Sequence, residues 1–197
     1  MSAGKRISIL SKDEYDYFYA IPELTNNDRL VLFELSEEEQ SEIIKLPNEA
    51  VKINYILQLG YFRAKTYFFS FTFQQVRKDV WFIINKFFPG SSFPKKQISK
   101  HYHYTNQKKL LKFFKFKLIT AKDYPKLNQK AKKVARRHVY PRFIFDELLN
   151  FCLQSNFVKP AYSKMQAIVS EALQKERERV IRRMSSHSKI NFDSQML

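Results

Sequence analysis

The chain has 197 residues, 44% of them hydrophobic, and 35 Lys and Arg against 19 Asp and Glu, a formal net charge of +16. That length makes one domain or two small ones with enough apolar content for real cores. The single cysteine, Cys152, excludes an internal disulfide framework and suits an intracellular protein, and no apolar run approaches the ~18 residues of a membrane span.

The charge is concentrated. Lys95 to Arg142 holds 16 of the cations and one carboxylate, Asp123, while the flanking stretches are nearly balanced. The same segment keeps Ile98, Leu110, Leu111, Phe113, Phe114, Leu118, Ile119, Leu127 and Val134. Disordered basic arms lose such residues, so this charge belongs to a folded surface, and nucleic acid is the polyanion that suits it. Lys5 and Arg6 precede only four mostly apolar residues before Ser11-Lys12-Asp13-Glu14, which is not the pattern of a signal peptide.

Glycines are few and apolar residues recur mainly at helical spacing, so the chain reads as all-α. Ser11-x-x-Glu14 is a capping box that opens a short helix to about Ala20, with Pro22 as the stop. Ser36 caps a second helix with Glu39 at its third position, which makes Glu37 to Glu39 a helix start rather than a catalytic cluster. Pro47 fits the first position of a helix whose face is Ala50, Ile53, Asn54, Leu57 and Tyr61, with Gly60 either ending it or allowing close packing. Thr72-x-x-Gln75 starts another helix, buried along Val76, Val80, Ile83, Ile84 and Phe87 and stopped by Pro89-Gly90. Trp81 and the phenylalanines from Phe68 to Phe88 are expected in the core, a base-stacking platform being the alternative.

Residues 95–103 and 106–114 read as two short basic helices, followed by an alternating, extended exit at Phe114 to Leu118. Asn128 to His138 is a third basic helix, and Pro141 opens one that runs to about Leu153. Ser163-x-x-Gln166 is a further capping box, and the last helix buries Met165, Ile168, Val169, Ala172 and Leu173 before a frayed tail from 185. The expected organisation is a bundle of short helices in two packed sub-domains with helix-turn-helix-like pairs. Its parts are an N-terminal helical sub-domain (1–92), a basic helical segment (93–140) and a C-terminal helical sub-domain (141–197).

No HExxH, paired CxxC, phosphate-cradling glycine loop or GxSxG occurs, so no catalytic residue, cofactor or metal is expected. His101 and His103 are two apart and point to different sides of a helix. Phosphate contacts are expected from Lys95, Lys96, Lys100, Lys108, Lys109, Lys112, Lys115, Lys132, Lys133, Arg136, Arg137 and Arg142. Base contacts are expected near helix starts, from Lys108 and Lys109 in the pair 95–103/106–114, or from Ser163, Lys164 and Gln166 in the pair 141–154/163–174. Ser163 and Gln166 equally suit capping alone.

Three stretches carry a family likeness: Ile9-Leu10-Ser11 through Pro22 with Phe33-x-Leu35-Ser36, then Tyr55-Ile56-Leu57-Gln58-Leu59-Gly60-Tyr61-Phe62-Arg63-Ala64-Lys65 with Phe68-Phe69, then Val158-Lys159-Pro160-Ala161-Tyr162-Ser163-Lys164-Met165-Gln166. In this order and spacing the chain resembles, over residues 7 to 183, the N-terminal region of transposases of the Tn-three family, the class II replicative transposons. The resemblance implies an all-helical, two-part region that binds double-stranded DNA at terminal inverted repeats, in the bacterial cytoplasm at the nucleoid, beside a catalytic transposase chain and no membrane. The family's acidic nuclease core lies much further on, so with this chain ending at Leu197 no enzyme activity is expected of it. A truncated chain of this kind could also repress transposition by occupying the ends. An RNA-binding protein and a membrane-surface protein are the other classes the charge admits.

Overall fold

The computed structural model describes the backbone of residues 7–193 and the side chains of residues 7–186. The fold is all-helical. Its helices are α1 (Lys12–Tyr19), α2 (Asn26–Leu32), α3 (Glu37–Ile44), α4 (Glu49–Lys65), α5 (Arg77–Phe87), α6 (Lys100–Phe113), α7 (Tyr124–Ala135), α8 (Pro141–Gln154) and α9 (Tyr162–Asp193). They form two compact units. One is the continuous stretch Tyr15–Lys117; the other joins residues up to Glu14 with Leu118 onward. These boundaries differ from the three-part division at 92 and 140, because α6 packs on α4 in the first unit while α7 packs on α8 and α9 in the second. The basic segment is therefore divided between two bodies.

Several helix starts follow the local sequence. Ser11 and Glu14 bond each other's backbone N–H groups, and Thr25–Asp28 and Ser36–Glu39 are complete capping boxes. Pro47 is not at the first helical position of α4: Asn48 is the N-cap, its side chain accepting from Val51 N–H. Thr72 and Gln75 do bond reciprocally, but they close a turn, and helix α5 begins only at Arg77.

In the unit 15–117, α4 is the central helix, packed by α2, α3, α5 and α6. Ile53 through Phe62 are all buried, so it has no solvent face over that length, and the single apolar face expected of it is exceeded. Gly60 does not end α4. It sits against the ring of Phe33, where a Cβ would lie 2.3 Å from the nearest ring carbon. Phe69 and Phe73 are buried, with Phe68, Phe71, Phe82, Phe87 and Phe88 packed against the core. Trp81 is not core: it is 37% exposed and tilted against Phe93.

In the other unit, Leu127, Ala131, Val134 and Ala135 of α7 share a core with Ile144, Phe145, Leu148 and Cys152 of α8 and Met165, Ile168, Val169 and Ala172 of α9. Burial pushes the Cys152 thiol up to about 12, so this cysteine is an inert small hydrophobe. Residues 185–193, expected to fray, continue the helical backbone of α9; residues 194–197 lie outside the described residues.

Candidate nucleic-acid interface

The cations of the basic segment divide evenly. Lys95 to Lys117 contributes eight and no carboxylate; Leu118 to Arg142 contributes eight and Asp123. The first group is built around α6. The two short helices expected at 95–103 and 106–114 are one helix: Ser99 caps it by accepting from Tyr102 N–H, and nothing between His103 and Asn106 breaks it. Asn106 is buried instead, donating to Val51 O and Asn54 Oδ1 of α4. The helix-turn-helix pair expected here is therefore absent.

A single helix aligns Lys100, Tyr104, Lys108 and Lys112 at four-residue steps, and all four are exposed. Lys115 lies beyond the helix in the left-handed conformation (φ 57°), where Phe116 N–H closes back on Leu111 O. Lys95 and Lys96 are exposed just before the cap. Among the described residues Lys95, Lys96, Lys100, Lys108, Lys112 and Lys115 form no ion pair, whereas Lys109 is half-buried and lies 3.7 Å from Glu42. The opposite side of α6 faces α4. There His103 Nδ1 is 3.1 Å from Gln58 Nε2 and its Nε2 is 3.0 Å from Gln107 Nε2; His101 is exposed. Burial lowers the His103 pKa.

The second group lies on α7 and its exit. Lys133, Arg136 and Arg137 are exposed and Lys132 is half-buried. Lys130 pairs with Glu147 of α8 at 2.6 Å. Arg142 is committed elsewhere: it forms an ion pair with Glu14 and holds both oxygens of Asp146 at 2.9 Å. Its burial opposes its charge, but these carboxylates outweigh that and raise its pKa.

At the start of α9, Met165 N–H bonds Ala161 O, which places Ser163 inside the first turn rather than at the cap. Ser163 and Lys164 are exposed. Gln166 is half-buried and donates to Ile7 O, while the Tyr162 hydroxyl accepts from Ile9 and Leu10 N–H at 3.1 and 3.0 Å. The Tyr-Ser-x-x-Gln stretch thus fastens the segment 7–10. The block around Gly60 is likewise a packing device. Tyr61 donates to Asp79, which also holds Arg29; Arg63 donates to Leu32 O, Glu34 O and both oxygens of Glu39. Both roles join residues far apart in sequence, so only the buried character of Tyr61 signalled any part of them.

Among the described residues no three His, Cys, Asp or Glu side chains cluster as metal ligands, and no helix is long and apolar enough to cross a membrane. Exposed lysines on α6 and exposed Lys133, Arg136 and Arg137 at the end of α7 give an all-helical protein with two basic surfaces. The model of a domain of unknown function, DUF4158, matches residues 9–172, and the chain belongs to that family. No curated protein matches the chain.

Proposed function

We propose that this chain is a non-catalytic DNA-binding module that recognises the terminal inverted repeats of a class II replicative transposon. The observation that carries the reading is the exposed row Lys100, Lys108 and Lys112 on α6, with Lys95, Lys96 and Lys115 at its ends; none of the six forms an ion pair among the described residues, although Lys112 lines a pocket with Glu38 and Glu42 of α3. Surface lysines are ordinarily interspersed with acids; a stretch of eight cations from Lys95 to Lys117 without an Asp or Glu of its own suits a phosphate backbone. Lys133, Arg136 and Arg137 supply a second basic surface, on which Arg136 lies within electrostatic reach of Glu176. Lys164 and Ser163, exposed in the first turn of α9, are the remaining candidates for base edges; the Gln166 amide is occupied by Ile7. Family membership supports the transposon assignment, since DUF4158 domains are common at the N-terminus of Tn-three transposases.

The test is a titration at about 150 mM salt of the terminal repeat flanking the native gene against a scrambled duplex of equal length. Preference for the repeat by about tenfold or more is expected, a threshold well below the roughly 10³–10⁷ that separates specific from non-specific binding. Equal affinity removes end recognition and leaves only electrostatic binding; no affinity for either duplex removes the DNA reading.

A further inference from the structure

The five residues between α7 and α8 present two adjacent exposed apolar side chains, Val139 and Tyr140, next to exposed cations. Helix α7 ends where Arg137 and His138 N–H both bond Val134 O, and α8 begins at Pro141. The rings of His138 and Phe143 pack against each other with centroids 4.3 Å apart and planes tilted by 44°, at the base of the linker. At its apex Val139 is 65% exposed and Tyr140 74% exposed. Tyr140 is the N-cap residue of α8, yet its side chain makes no capping bond. Single exposed apolar side chains are ordinary. Two adjacent ones on a braced apex, beside exposed Lys133, Arg136 and Arg137, are the arrangement by which proteins set an apolar wedge against bases while cations hold the flanking phosphates.

We infer that the α7–α8 linker is a base-contacting wedge: Val139 and Tyr140 lie against the bases of one distorted duplex step, and Arg136, Arg137 and Lys133 neutralise the phosphates on either side. This rests on the DNA-binding reading. The cations commit the surface to a polyanion, and the ring and the branched side chain between them match the one apolar part of that polyanion, its base faces. The wedge also differs from the lysine row of α6, whose contacts follow charge alone.

The experiment uses the full chain and terminal-repeat duplexes carrying 2-aminopurine at successive positions, read by fluorescence and by anisotropy across a salt series. The wild type is expected to raise 2-aminopurine emission at one step. A Val139→Ser/Tyr140→Ser variant is expected to lose that rise and bind roughly ten- to a hundredfold more weakly, with the salt slope unchanged because no charge is removed. Tyr140→Phe should retain the signal, and Arg136→Gln with Arg137→Gln should flatten the slope instead. Wild-type affinity and emission in the serine variant would overturn the wedge while leaving DNA binding intact. A wild type that binds no duplex would overturn the DNA-binding reading and the wedge with it.

Discussion

At Gly60 the backbone of α4 passes so close to Phe33 that any side chain meets the ring, at 2.3 and 2.4 Å from its two nearest carbons, and Phe33 is fully buried and has nowhere to go. Gly60→Ala would gain ~1 kcal/mol of helix propensity, yet overpacking of this kind costs about 1–3 kcal/mol. A net loss of stability is expected, and urea denaturation of the variant measures it. The sequence allowed either close packing or a helix end at this glycine, because a glycine in a helical pattern has both meanings. What decides is Phe33, 27 residues away and invisible to periodicity. Arg63 and Gln166 show the same limit. A polar side chain advertises that it will bond, but not that its partners are the carbonyls of Leu32 and Glu34, or of Ile7.

The elements themselves were more legible. Ser11, Ser36 and Pro141 mark helix starts because capping and ring constraint act within four residues, and α1, α3 and α8 begin there. Helix α6 reads as two short helices in the sequence because its middle, His103 to Gln107, is polar. That polarity is turned inward onto Asn54 and Gln58 of α4, which no local pattern records. This interface is sensitive to pH. Burial lowers the His103 pKa, and the Gln58 and Gln107 amides against its two ring nitrogens carry no charge to hold an imidazolium. A histidine whose folded pKa lies below its ordinary value of 6.5 adds stability that is complete above that value and lost as pH falls through it to the folded pKa. The urea midpoint should therefore fall between about pH 7.5 and pH 5.5, and His103→Gln should remove much of that fall. An equal fall in the variant would assign the effect to other groups.

For the whole molecule, composition revealed the fold class and the cationic segment but not its division between two units, because the count of charges along a chain carries no information on which core each helix joins. The division makes the charge separable. Replacing Lys100, Lys108, Lys112 and Lys115 with Gln removes four exposed cations from the unit 15–117 alone. If all four meet phosphates, the slope of log affinity against log salt should become shallower by about 3–4, near 0.9 per contact. A slope unchanged within error would place the DNA on other cations, leaving the α7 surface to carry the binding.

The fastening of residues 7–10 by Tyr162 and Gln166 imposes an order on biosynthesis. The hydroxyl that accepts from Leu10 N–H lies 152 residues downstream. At elongation rates of roughly 5–20 residues per second, the segment 7–10 waits about 8–30 s for its partner to be made. The stretch 15–117 is complete long before then and is bounded by its own contacts. The stretch 15–117 is thus free to fold before residues 7–10 have Tyr162 to dock on.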